Sequence, residues 1–95
     1  MPAYIVVDVE VRDPEQYEQY KTLVAPTLEP YGGRYLARGG HTENLEGVWV
    51  PNRLVVMEFD SVEKAKAWWS SEEYRRPKEI RQGSATTQMV VTEGL

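Results

Sequence analysis

Cysteine is absent from this chain of 95 residues, and histidine occurs once. Disulfides, thiolate nucleophiles and cysteine-ligated metals are thereby excluded, and a lone histidine cannot build a multi-histidine metal site. Neither metal nor cofactor is expected. Long apolar runs are also missing. The longest, AYIVV and LVVM, stop after four or five residues, whereas a membrane span needs about 20. The opening MPAYIVVDVE lacks the basic start and apolar centre of a signal peptide, so a cytoplasmic location is the expectation. Positive charge is scarce: 11 Lys and Arg against 15 Asp and Glu give a net charge of −4. That is the wrong sign for a phosphate-binding face, so nucleic acid is not expected as a partner, and with such short apolar runs neither is a membrane.

What the chain does have is ordinary globular composition, with 41% hydrophobic and 27% charged residues, unlike a disordered segment. Residues 1–95 are enough for a single domain with one core and no more. Ala3 to Val11 alternates, with Ile5, Val7, Val9 and Val11 on one face and Tyr4, Val6, Asp8 and Glu10 on the other. That is the pattern of a half-buried strand. Asp13-Pro14-Glu15-Gln16 starts a helix: Asp13 caps, Pro14 suits the first position and Gln16 completes a capping box. Tyr17, Tyr20, Val24, Leu28 and Tyr31 repeat at three-to-four spacing. Pro26 and Pro30 predict that this helix bends or ends early, closed by Gly32-Gly33 in a left-handed cap.

Arg34 to Asn44 reads as a second strand interrupted by Gly39-Gly40, and Leu45 to Asn52 as a hairpin connection. Arg53 to Asp60, RLVVMEFD, is the most apolar strand and is expected to be central. Ser61 caps a second helix through Ser70. Ser70 with Glu73 resembles another capping box, opening a further turn or two that ends near Gly83, with Pro77 limiting its regularity. Thr86 to Glu93 is the last strand. The order strand, helix, strand, strand, helix, strand folds most simply as a ferredoxin-like βαββαβ unit, an α+β domain. It has a four-stranded antiparallel sheet with both helices on one face. The first and third strands are apolar on both faces, so the bare face predicts a homodimer that covers it.

Candidate functional residues follow from chemistry out of place. Glu58 lies inside LVVMEF, where a carboxylate needs a partner. It is either a catalytic base or, as the favoured reading, one half of an ion pair with Arg34, Arg38 or Arg53. Arg38 and Arg53, both on strands, could clamp an anion. His41 is the one candidate for haem ligation or acid–base chemistry, although a polar surface position is the commoner fate. Tyr20 and Trp68 suit the apolar walls of a pocket between helices and sheet, or simply the core. Tandem Trp68 and Trp69 cannot both face inward, so one belongs at an interface or a pocket mouth.

Five stretches, MPAYIVVDVEVRDPEQYEQY, YGGRYLARGG, LEGVWVPNRLVVMEFDS, KAWWSSEEY and VVTEGL, together resemble the domain-of-unknown-function 1330 family of small bacterial proteins. The resemblance runs end to end. It implies the dimeric α+β-barrel superfamily, in which two ferredoxin-like sheets face each other. Its members include cofactor-independent monooxygenases, isomerases, haem-dependent enzymes and modules without chemistry. The leading expectation is a homodimer that binds a small organic molecule, or a cofactor-independent enzyme of monooxygenase or isomerase type. The alternative is a non-catalytic dimerisation module.

Overall fold

A computed structural model describes all residues, Met1–Leu95. The elements are β1 (Ala3–Val11), α1 (Pro14–Leu28), a 3-10 turn (Glu29–Tyr31), β2 (Arg34–Arg38), β3 (Leu54–Phe59), α2 (Val62–Trp69), α3 (Glu72–Ser84) and β4 (Ala85–Glu93). The strands form one antiparallel sheet in the order β2-β3-β1-β4, so the two most apolar strands are the inner ones. Ile5, Val7 and Val9 join Val55, Met57 and Phe59 on the face that the helices cover, in one core cluster.

The alternation in β1 sets which residues meet the helices; the other face carries Tyr4, Val6 and Asp8 opposite Glu58, Val56 and Leu54. Register along β2 contains one irregularity, between Tyr35 and Ala37. Leu36 is the extra residue, and its insertion reverses the facing of everything after it. Tyr35 therefore pairs with Met57 on the helix side, and Arg38 with Val55 on the same side rather than on the open face.

Helix α1 does not end at its interior proline. Pro26 lies inside it, and only at Glu29 does the chain tighten into the 3-10 turn, closed by Gly32 at φ 70°. Gly33 is dictated by contact: a Cβ there would sit 2.5 Å from Cε2 of Phe59. Strand β2 ends at Arg38, six residues short of expectation, because Gly39 turns at φ 73° against the Arg53 guanidinium. The cap of α3 is Ser71, not Ser70. Ser71 Oγ accepts from Tyr74 N at 3.1 Å, and the helix then runs 13 residues straight through Pro77.

An aromatic column fills the layer between helices and sheet. Ring centroids are 5.5 Å apart for Phe59 and Trp68, 4.0 Å for Trp68 and Tyr74, and 6.4 Å for Tyr74 and Tyr20. The Trp68 indole Nε1 donates to Thr27 Oγ1 at 2.9 Å, and that hydroxyl donates to the Val24 carbonyl at 2.6 Å. The buried indole therefore has the hydrogen-bond partner that its burial requires.

Candidate functional site

Two hollows lie between the helical layer and the sheet. The larger, about 560 Å³, opens between α2, α3 and β4, a size typical of small-molecule sites, about 300–1,000 Å³. Ile5, Ala65, Met89 and Val91 give it apolar walls, and Trp69 and Lys66 line it as exposed residues. It exists because β4 outruns its cover: Val91 remains 38% exposed although it shares the helix-side facing of Ala85, Thr87 and Met89. The smaller hollow, about 20 Å³, has room for about one water. Tyr17, Tyr20, Tyr35, Arg38 and Arg53 surround it under α1.

Arg81 forms part of the wall of both hollows. The spacing Tyr74, Pro77, Arg81, Ser84 runs down one side of α3, and all four are buried. Only 5% of Arg81 is exposed, yet no carboxylate is paired with it. Its Nε donates to the Tyr74 hydroxyl at 3.1 Å, and the Tyr74 and Tyr20 hydroxyls share a bond of 2.9 Å. Burial, reinforced by Tyr74 beside it, holds the Tyr20 phenol well above its ordinary range. Tyr20 therefore stays protonated at physiological pH and serves as a hydrogen-bonding group, not a base. Burial also raises Tyr35, although Arg38 pulls in the other direction. Two buried polar atoms have no partner, Thr87 Oγ1 on the wall of the larger cavity and Arg53 Nε beside the smaller.

The residues singled out from sequence divide into three groups. Tyr20, Arg38 and Arg53 come together at the small hollow. Arg38 stacks over the Tyr35 ring at 4.4 Å and donates to the Lys21 carbonyl at 2.7 Å, and Arg53 lies over the Tyr17 ring at 5.6 Å. Trp68 is fully buried in the aromatic column and lines neither hollow. Glu58 lies on the opposite face of the sheet, paired with Arg34, its register partner on β2. His41 stands exposed beyond β2, its Nε2 3.5 Å from Glu43. The residue that sequence reasoning passed over is Arg81. Its signal was a cation on the apolar stripe of a helix, at the seven-residue repeat of Tyr74.

The open face of the sheet has its own organisation. Register aligns Ala37, Val56, Val6 and Val90 in one apolar row across all four strands. Asp8, on that face, accepts from the Trp49 indole Nε1 at 3.0 Å and from Asn52 N at 2.9 Å, tethering the loop before β3. These bonds, with the Trp49 one foremost, lower the Asp8 carboxyl below its ordinary value. The tethered loop presents Leu45, Val48, Trp49 and Val50 to solvent.

An antiparallel sheet with helices on one face, and a hollow between the two layers, defines a ferredoxin-like α+β protein. The chain belongs to the family described as a domain of unknown function (DUF1330), whose model matches residues 2–95. Among solved structures it is similar to a protein of unknown function from Rhodopseudomonas palustris, with TM-score 0.79 and 20% identity over 99% of this chain and 82% of that one. A dimeric ferredoxin-like protein of unknown function from Thermobifida fusca has TM-score 0.71 and 20% identity, covering 99% and 92%. SnoaB, a cofactor-independent oxygenase from Streptomyces nogalater, has TM-score 0.67 and 9% identity, covering 99% and 93%. At such identities the likeness is one of fold. No curated protein matches the chain in sequence. No helix is long and apolar enough to cross a membrane.

Proposed function

We propose that the protein is a homodimer that binds a small organic molecule in the cavity between α2, α3 and β4. The observation that carries this reading is the cavity itself: about 560 Å³, apolar on most sides, with the buried Arg81 and the unpartnered Thr87 hydroxyl on its wall. The Arg81 guanidinium has no acidic partner in the chain and faces the hollow, where an anionic group of a ligand would meet it. The dimer is supported by the apolar row Ala37, Val56, Val6 and Val90, which a second copy of the same face covers by two-fold symmetry. The tethered loop extends that surface with Trp49 and Val50. A dimeric relative of the same fold is in keeping with it.

If the cavity is catalytic, the chemistry is cofactor-independent, as named for the Streptomyces oxygenase of this fold. No histidine or carboxylate lines the cavity. A reaction there relies on a substrate that ionises by itself, with Arg81 stabilising the developing charge. The rival reading, a dimerisation module without a ligand, draws on the same apolar sheet face and requires the cavity to stay empty.

The fluorescent dye 8-anilinonaphthalene-1-sulfonate separates the two. The dimer should bind about one dye per chain, and Val91→Trp, which plugs the mouth from a partly exposed position, should abolish binding while the melting midpoint holds. Saturable binding that Val91→Trp leaves intact would overturn the cavity as the binding site.

A further inference from the structure

We infer that the molecule bound in this cavity is an amphipathic organic monoanion of the carboxylate class, with its charged end on Arg81 and its apolar body against Ile5, Met89 and Val91. This inference rests on the cavity reading above and adds the charge of the ligand.

Acidic residues outnumber basic ones by 15 to 11 in the chain, yet the walls of the two hollows contain no Asp or Glu. They contain instead Lys21, Arg38, Arg53, Lys66 and Arg81. An acid-rich protein that keeps every acid off the walls of these two hollows, and places five cations along them, makes those hollows positive.

Within that set Arg81 differs from the others. Lys66 is exposed, while Arg38 and Arg53 each lie over a tyrosine ring whose face attracts the cation, and the one orphaned atom of Arg53, its Nε, belongs to the smaller hollow. Arg81 is 5% exposed, and the one hydrogen bond of its guanidinium runs from Nε to a neutral phenol. Its Nη groups, the pair that binds a carboxylate two-pronged, are left without a protein acceptor. The carbonyl end of α3 offsets some of the charge, since Arg81 lies in its last turn, but supplies no hydrogen bond to it. The Nη atoms are not among the buried atoms that lack a partner, so they open onto the hollow, where a ligand can reach them. A ligand carboxylate supplies the missing partner, and Thr87 Oγ1, buried on the same wall with no partner, is a second donor for it. One deep cation beside the apolar surfaces of Ile5, Met89 and Val91 suits a single negative charge on a largely hydrocarbon body.

The test uses the full-length wild-type protein and calorimetric titration with two matched pairs: 4-phenylbutyrate against 4-phenylbutan-1-ol, and octanoate against octan-1-ol. Each carboxylate should bind at least about tenfold more tightly than its alcohol, the scale of a buried charge-assisted hydrogen bond. Arg81→Gln should erase that preference, while its ligand-free melting midpoint shifts only slightly, since the lost Nε bond to Tyr74 is offset by removal of a desolvated charge. Thr87→Val provides the second variant and should weaken the carboxylates while leaving the alcohols unchanged. Equal affinity for acid and alcohol overturns the anion inference and leaves the cavity standing. Binding of neither member of either pair overturns both. An Arg81→Gln protein that melts far lower yet keeps the acid preference makes Arg81 a packing residue, and the inference falls.

Discussion

Arg81 and Tyr74 meet in the core at 3.1 Å, two helical turns apart on α3, and the Tyr20 hydroxyl of α1 joins them at 2.9 Å. This chain of three polar groups ties both helices to the wall of the cavity. Tyr74→Phe leaves the Arg81 Nε and the Tyr20 hydroxyl without their partner at one stroke. It should destabilise the protein by about 1–3 kcal/mol, the penalty of an unsatisfied buried group, whereas Tyr20→Phe should lose only about 0.5–1.5 kcal/mol. Urea melts at unchanged slope measure both, and equal losses would show that Tyr74 has no special place in the chain.

The start of α3 separates two adjacent serines. Ser71 is buried, accepts from Tyr74 N and donates to the Trp68 carbonyl at 2.7 Å, while exposed Ser70 donates only to the Lys66 carbonyl. Ser71→Ala should therefore lower stability by about 0.5–2 kcal/mol, and Ser70→Ala by a few tenths at most. Chemical denaturation of the two variants side by side provides the comparison.

Most of the fold was legible because it rests on periodicity. The alternation of β1 and the spacing of α1 survive in the structure with the same boundaries or nearly so. What was not legible depended on contacts between distant residues. SSEEY offers two serines, and only the packing of Ser71 under Trp68 decides which one caps. Leu36 looks like any strand residue, yet as the bulge it turns Arg38 to the helix side, which no alternation rule reveals. Glu58 was conspicuous in an apolar strand, but its partner Arg34 and its place on the open face come from register. Arg81 went unmarked because a charged residue in a polar-looking helix is usual, and α3 has six charged neighbours to hide it: Glu72, Glu73, Arg75, Arg76, Lys78 and Glu79.

The pair formed by Glu58 and Arg34 now has a clear expectation. The Arg34 side chain is 67% exposed in the single chain, so solvent screens the pair from the cationic side although only 16% of the Glu58 side chain is exposed. Such a pair contributes at most about 1 kcal/mol, so Glu58→Gln should cost no more than that in the monomer. A larger loss that grows with protein concentration would instead report that the dimer covers the pair.

Acid should release the loop before β3. The Asp8 carboxyl titrates below its ordinary value of 3.8 in the folded chain, held down foremost by Trp49. A lowered folded value contributes stability that is present above pH 3.8 and is lost as pH falls through the folded value. Trp49 fluorescence should accordingly change on acidification below about pH 4, ahead of global unfolding. In Asp8→Asn that early acid step should disappear; an unaltered step would assign it to another group.

Dimerisation through the open sheet face predicts a particle of about twice the chain mass of 10.9 kDa by light scattering. Val90, 62% exposed at the β4 end of the apolar row, is the position to break it. Val90→Glu should yield monomers that remain folded. A wild-type protein that is already monomeric at low micromolar concentration would remove the dimer from the account.

Arg81 is poised to hold an anion in the cavity between helices and sheet. A crystal structure of the protein grown with 4-phenylbutyrate tests it most directly. The account predicts the carboxylate within hydrogen-bond distance of the Arg81 Nη atoms, with the phenyl group among Ile5, Met89 and Val91. A cavity without the compound, and an Arg81 guanidinium paired instead with a carboxylate of this chain or of a second copy, would contradict it.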